Sequence, residues 1–333
     1  MRRWIIVLIS IIVSAVFLWL ALRDVPLNQV VAGIQQADFG WIVMSIIGVT
    51  GALATRAVRW RGLLDDRIPL MQAFHILNVT MLLNQLPLRA GEVARSLLAT
   101  HSGVPIITAA TSIVIERLID VVTVVVLLAV ATSRLPSAPS SVAQAAALFG
   151  VAAVIGFIVL VVFARYPQIA HRVLAWLEAR LPLLKRLNGT KRLDEVLDGL
   201  RPLTRAKHAI HVTIWTIFGW AFSLFTFYAL ERALDIHGVD LIIGSMLGVG
   251  LAAFSIAIPV SVAAIGPFEG AVRVAGDAVG ISAVASTTLG FLFHGITVLV
   301  YAFFGVIGLI ALGVSLGDVL KQPTTSTTQA PAS

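Results

Sequence analysis

The sequence predicts an all-α polytopic membrane protein, with about six full spans plus two re-entrant broken-helix hairpins in an inverted repeat. Three observations carry that prediction. The 333 residues are 58% hydrophobic and only 12% charged, with a mean hydropathy of +0.96; soluble domains carry about 25% charged residues. The apolar residues fall in long runs of about 20, the length that crosses a bilayer. Polar landmarks in one half of the chain recur in the other at a shift of 177 residues.

The runs are taken in order. Arg2 and Arg3 precede an uncharged stretch, Trp4–Leu22. It is long for a signal peptide's apolar region, and Leu22-Arg23-Asp24 is no small-residue cleavage site, so it is expected to stay as a first span. Leu27, Val30, Val31 and Ile34 have helical spacing and suit a short helix on the outer surface. Further spans are expected at Phe39–Thr55, Val104–Ser133, Val142–Ala164, Ala209–Leu230 and within Ile281–Leu316. The last is longer than one straight crossing and is expected to tilt, protrude or break at Gly295. Two apolar stretches, Leu70–Leu88 and Leu241–Phe268, are interrupted by proline and glycine and are read as the re-entrant hairpins. His171–Leu181, HRVLAWLEARL, has one apolar face and suits an interfacial helix. The tail KQPTTSTTQAPAS is polar, low in complexity and expected to be disordered. One membrane domain, 1–320, thus contains repeat one at about 70–133, a cytoplasmic amphipathic segment at 165–207 and repeat two at about 241–316. The tail is 321–333.

Orientation follows the basic residues. Arg2 and Arg3 place the N-terminus in the cytoplasm. Arg56, Arg59, Arg61 and Arg67 follow span two, and Arg165–Lys207 holds ten Lys/Arg against four acids. Both segments are expected to be cytoplasmic, as is the C-terminus, in the plasma or inner membrane of the cell. The net charge of +7 is therefore assigned to orientation and to anionic lipid headgroups, not to nucleic acid. No cysteine is present, which excludes a disulfide framework and a thiolate nucleophile.

In the repeat, Glu92 falls on Glu269, Gly103 on Gly280, Thr111 on Thr288 and Arg117 on His294. Three crossings separate the two glutamates, and an odd number inverts the second copy. Inverted repeats with broken helices are a recurrent transporter design, with the site where the repeats meet.

Four charged clusters are candidates for that site. The first is Asn84-Gln-Leu-Pro87-Leu-Arg89-Ala-Gly91-Glu92-Val-Ala-Arg95. Proline ends one half-helix, and the free N–H groups of the next favour an anion. Arg89 and Arg95 add guanidinium forks that match phosphate; equally, Glu92 suits the helix dipole and a pair with Arg95. The second runs Gly266-Pro267-Phe268-Glu269 to Arg273, with Glu269 at a helix start and Arg273 one turn on, placed to pair with it. The third is Glu116-Arg117-Leu-Ile-Asp120 inside a span. Charges at that depth cost at least ~2.5 kcal/mol each and must face protein or water. Glu116 and Asp120 share a face and need a cation between them, for which Arg89, Arg95 and Arg117 are candidates. The fourth is Arg56-Ala-Val-Arg59-Trp60-Arg61. It reads as an interfacial anchor with snorkelling arginines or as an inner-leaflet phosphate contact. His294 can titrate in the last span.

The proposed substrate-binding set is therefore Arg89, Arg95, Arg117, Asn84, Gly91, Gly266, Arg273 and Arg59. Glu92, Glu116, Asp120, Glu269 and His294 would balance charge or relay protons. The seven histidines form no HxxxH or HExxH pair, and neither a P-loop nor GxSxG occurs. Neither a metal nor a cofactor is expected, and a transporter is favoured over an enzyme.

The runs RAVRWRGLL, NQLPLRAGEVARSLLA, TAATSIVIERLIDVV and IPVSVAAIGPFEGAV resemble the lysylphosphatidylglycerol synthase transmembrane-region family, flippase-like integral membrane proteins. The resemblance covers about Met1 to Leu316. It implies a lipid translocase handling an anionic phospholipid or a prenyl-phosphate-linked lipid; a separate synthetase or glycosyltransferase is a candidate partner. Members with an attached cytosolic synthetase make the aminoacylated lipid themselves. No such domain lies within these 333 residues, so synthesis is not carried over. His294-Gly295 stands where the family commonly has arginine. Two other functions compete with the translocase: a membrane-embedded enzyme using the carboxylates as acid and base on a lipid phosphate, and a small-solute secondary transporter.

Overall fold

The computed structural model describes residues 12, 14–19, 22–86, 90–135, 140–180, 189–257 and 262–317. The described residues form helices and no strands. In chain order these are α1 Leu27–Gln36, α2 Phe39–Leu63, α3 Leu70–Leu83, α4 Gly91–Thr100, α5 Ile106–Ser133, α6 Ser140–Arg165, α7 Pro167–Arg180, α8 Gly189–Leu200, α9 Ala206–Ala233, α10 Leu241–Ala257, α11 Pro267–Val279 and α12 Ala283–Leu312. The tail and most of the first apolar run lie outside the described residues.

Among the described residues three helices, α2, α9 and α12, are long and apolar enough to cross a membrane, and a fourth crossing comes from α6 if its bent pair with α7 counts as one span. The bend at Tyr166–Pro167 is 106°, so α7 runs nearly across the direction of α6, as an interfacial helix would. At 28 residues, or ~42 Å, α5 is long enough as well, but it carries Glu116, Arg117 and Asp120. Neither α3 (14 residues, ~21 Å) nor α10 (17 residues, ~26 Å) reaches across ~30 Å of hydrocarbon.

One expectation needs correcting, and one set of alternatives narrows. Span two does not stop at Thr55. The helix runs on to Leu63 because much of its last two turns, Arg59 and Trp60 included, is packed inside protein rather than leaving the membrane. The last span does not break at Gly295: α12 is continuous over 30 residues. A helix hydrogen-bonded throughout tolerates one glycine at ~1 kcal/mol, and its ~45 Å requires tilt or protrusion.

Caps fix the helix starts. The Asp38 carboxylate accepts from Trp41 N at 3.0 Å ahead of α2, and Ser282 Oγ accepts from Ala285 N ahead of α12. Gly103 and Gly280, which follow α4 and α11, both take positive φ (76° and 87°). The chain can reverse there into the next long helix without a Cβ penalty.

Packing is reciprocal. α3 folds back onto α4 and α10 onto α11; α4 packs on α5 and α11 on α12. Across the molecule α3 lies along α12 and α10 along α5, while α2 and α9 form a long antiparallel pair. Small residues allow the close approaches: Gly305 and Gly308 of α12 meet the backbone of α3 at Asn78 and His75, and Gly48 of α2 meets Thr226. At one end of the bundle α8 clamps the start of α5. Thr108 Oγ1 donates to Glu195 O at 3.0 Å, and Arg67 grips Asp198 through two bonds of 2.8 and 3.0 Å. Arg205 and His208 meet Asp65 beside them. The basic loop after α2 and the basic segment before α9 therefore share one face of the bundle.

Candidate functional site

Three helices converge on the charged turn of α5. From α2, Arg59 binds Asp120 with both guanidinium nitrogens (2.7 and 3.2 Å) and reaches Glu116 at 3.3 Å. From α4, Arg95 binds Glu116 at 2.9 and 3.4 Å. Arg117 turns the other way, its Nε 3.0 Å from the Glu92 carboxylate and its head 3.7 Å from Asp120. Three arginines meet three carboxylates, so the cluster is neutral and each buried charge has an opposite partner, the condition under which such groups are tolerated.

Aromatic and hydroxyl groups complete the shell. The Arg95 guanidinium lies 4.1 Å from the centre of the Trp60 ring, and Trp60 Nε1 donates to Ser112 Oγ at 3.0 Å. From α9, Trp220 Nε1 donates to Asp120 at 3.3 Å and Thr216 Oγ1 accepts from Arg59. Arg59 and Trp60 are buried, which overturns the interfacial-anchor reading of that segment. Arg61 does stay at the edge, donating to Ile68 O.

Burial divides the cluster. Arg59, Arg95 and Glu116 are at most 2% exposed, whereas Arg117 is 42% and Glu92 35% exposed. The first three form a locked interior triad. The last two form an ion pair on an accessible face, at the start of the half-helix α4. The expected Glu92–Arg95 pair is therefore not the one formed. Glu116 draws Arg95 inward, and Glu92 turns to Arg117 on the neighbouring helix.

At the corresponding place in the second half, Glu269 accepts from Gly266 N at 2.7 Å and lies 2.6 Å from His294 Nδ1. The His294 ring stacks on Phe268 with centroids 4.6 Å apart. The expected Glu269–Arg273 pair does not form; Arg273 lies 3.9 Å from Asp277. His294 is eleven positions into α12 and Arg117 eleven into α5, and each reaches the glutamate at the start of the preceding short helix. The pairs Arg117–Glu92 and His294–Glu269 thus each join a long helix to the short helix before it, at matching positions. One contiguous apolar cluster, including Trp220, Phe227, Phe268 and Phe293, packs between the two places.

The remaining candidates sit at the turns. Asn84 ends α3, and its Oδ1 is buried without a hydrogen-bond partner. It lies against Gly91, where a Cβ would also collide with Thr80 O. Gly266 takes a φ of 93° and is covered by the backbone of Ser14 and Leu18. Arg89 lies outside the described residues. Sequence reasoning placed Trp60 at the interface rather than inside the cluster, and passed over Ser112, Thr216 and Trp220. Thr216 and Trp220 carried a signal, being polar-tipped residues four apart on one face of an otherwise apolar span.

Among the described residues no group of three or more His, Cys, Asp or Glu side chains is arranged to hold a metal ion. No curated protein and no solved structure matches the chain. A family model does: the lysylphosphatidylglycerol synthase TM region matches residues 7–305. With the match running through every helix from α1 to α11 and most of α12, both charged pairs included, the chain belongs to that family of integral membrane proteins.

Proposed function

We propose that the protein is a lipid translocase that moves an anionic phospholipid or a prenyl-phosphate-linked lipid between leaflets. The observation that carries this reading is the half-exposed Arg117–Glu92 pair ~17 Å along α5 from its first residue. An accessible guanidinium at such depth in a lipid-solvated bundle is costly unless water or an anionic headgroup reaches it. Arg117 offers a planar fork suited to phosphate oxygens. Glu92 holds that fork when no headgroup is present and yields it when one arrives. The N-terminus of α4 beside it adds partial positive charge for the same anion. Arg59, Arg95, Glu116 and Asp120 keep the exposed pair in place rather than contact lipid.

The architecture is read as six full crossings and two re-entrant hairpins, α3–α4 and α10–α11, related by an inverted repeat. Reciprocal packing of α3 on α12 and α10 on α5, and the doubled glutamate contact, support it. In such repeats the site lies where the two copies meet, and rocking of one against the other exposes it alternately. The basic face formed by the loop after α2 and the segment before α9 supports a cytoplasmic location for both, with the termini on that side of the cell membrane. A separate synthetase or glycosyltransferase would supply the lipid.

The test is reconstitution of the purified protein into liposomes with headgroup-labelled lipids, including aminoacylated phosphatidylglycerol and prenyl-phosphate sugars. Transbilayer movement of one class supports the proposal and names the cargo. Chemical conversion of the lipid would replace it with a membrane-embedded enzyme. Uptake of a water-soluble solute without lipid movement would replace it with a solute transporter.

A further inference from the structure

Every buried carboxylate described so far has its oxygens met by groups the chain itself provides. Glu116 has two guanidiniums, and Glu269 has an amide and an imidazole. Glu231, in the last turn of α9, is different. It is 0% exposed. Its Oε2 accepts from Ser245 Oγ of α10 at 2.8 Å, while Oε1 is buried with no hydrogen-bond partner. Room for that oxygen exists because residue 244 is glycine; a Cβ there would collide with Oε1, and Val279 of α11 borders the same spot.

The charged groups on the surrounding elements are engaged elsewhere. Asp240 caps α10 through Ile242 N and Ile243 N. Asp235 is bonded to His237, and Asp38 caps Trp41. Arg232 faces the Trp41 ring, and on α11 Arg273 lies beside Asp277. Among the described residues Glu231 makes no ion pair. A buried carboxylate with one oxygen unsatisfied is costly, and Gly244 leaves that oxygen the room it occupies.

We propose that Glu231 and Ser245 form a binding site for one monovalent cation, a proton or a bare sodium ion, at the contact of α9 with α10. A single carboxylate matches a single positive charge. The donors are all oxygen, which selects a hard cation. The site fastens α9 to the first helix of the second hairpin, so its occupancy sets how firmly that hairpin is held. The site stands independently of the translocase reading, since it rests on the α9–α10 contact alone.

The experiment is thermal unfolding of the full-length protein in detergent without added lipid substrate, comparing the wild type with Glu231→Gln. Sodium is exchanged for choline at constant ionic strength in one arm, and pH is varied without sodium in the other. A ligand held only by the folded state raises the midpoint, by ~5 °C at 100 times its dissociation constant. A sodium-dependent midpoint that Glu231→Gln abolishes identifies sodium. A midpoint that falls with rising pH in the sodium-free arm, and is flat in Glu231→Gln, identifies the proton. A wild-type midpoint indifferent to sodium, with no pH dependence lost in the variant, overturns the proposal. If Glu231→Gln does not fold, Ser245→Ala keeps the carboxylate and removes its donor. It should shift the half-maximal cation concentration about tenfold, and an unshifted value also overturns the site.

Discussion

Replacing Glu116 by glutamine removes the one negative charge placed between two buried guanidiniums, 3.3 Å from Arg59 and 2.9 Å from Arg95. Arg59 keeps Asp120. Arg95 keeps the face of Trp60 and at most an amide oxygen, and becomes a buried cation whose counter-ion is gone. Two unit charges at ~4 Å are worth ~4 kcal/mol at an effective dielectric constant of ~20, and breaking a buried pair from one side costs about 3–5 kcal/mol. The folded-to-unfolded ratio should drop by about two to four powers of ten. Arg117→Gln breaks a half-exposed pair and should cost about 1 kcal/mol or less. The seven tryptophans allow unfolding of both variants to be followed by fluorescence in mild detergent. A Glu116→Gln protein within ~1 kcal/mol of wild type, or an Arg117→Gln protein as damaged as Glu116→Gln, would refute the division into a locked triad and a working pair.

Gly91→Ala should destabilise the α3–α4 hairpin by about 1–3 kcal/mol, because the new methyl meets the fixed Thr80 carbonyl as well as Asn84; a raised unfolding midpoint would contradict this. Glu269→Ala should cost about 1–3 kcal/mol by stranding Gly266 N and His294, with Glu269→Gln recovering part of the loss in the same unfolding measurement. Outside the spanning helices, the hydrogen bonds from Arg67 hold the Asp198 carboxyl below the usual carboxylate range. A depressed value means the clamp contributes fully above about pH 4 and loses its contribution as pH falls through the lowered value. The protection factors of the α8 amides, with the intrinsic pH dependence of exchange divided out, should therefore fall on acidification in the wild type and be low already at neutral pH in Asp198→Asn.

Much of the helix layout was legible because lipid forces long apolar runs, and the bounds of α5, α6 and α9 follow those runs within a few residues. The end of α2 was not legible. Arg56, Arg59 and Arg61 look like an interface when read as composition, and only the carboxylates of α5 explain why the helix continues past them. The need for a cation between Glu116 and Asp120 was visible on one helix, yet the cation is Arg59, 57 and 61 residues away in sequence. Glu92 and Glu269 were visible as matched landmarks. Their partners were misjudged because the nearest arginine in sequence, one turn along the same helix, lost to a partner on the neighbouring helix. Glu231 gave no signal, since an acid beside Arg232 at a span end resembles an ordinary interfacial pair.

The claim that Arg117 handles the lipid phosphate is tested most directly in liposomes carrying the lipid that the wild-type protein moves. Transbilayer rates are compared for wild type, Arg117→Gln and Arg117→Lys at equal amounts of folded protein. The account predicts at least a tenfold loss for Arg117→Gln, about 1.4 kcal/mol of lost stabilisation. Arg117→Lys should recover part of the rate, since it restores the charge without the fork. Movement by Arg117→Gln at the wild-type rate would contradict the account.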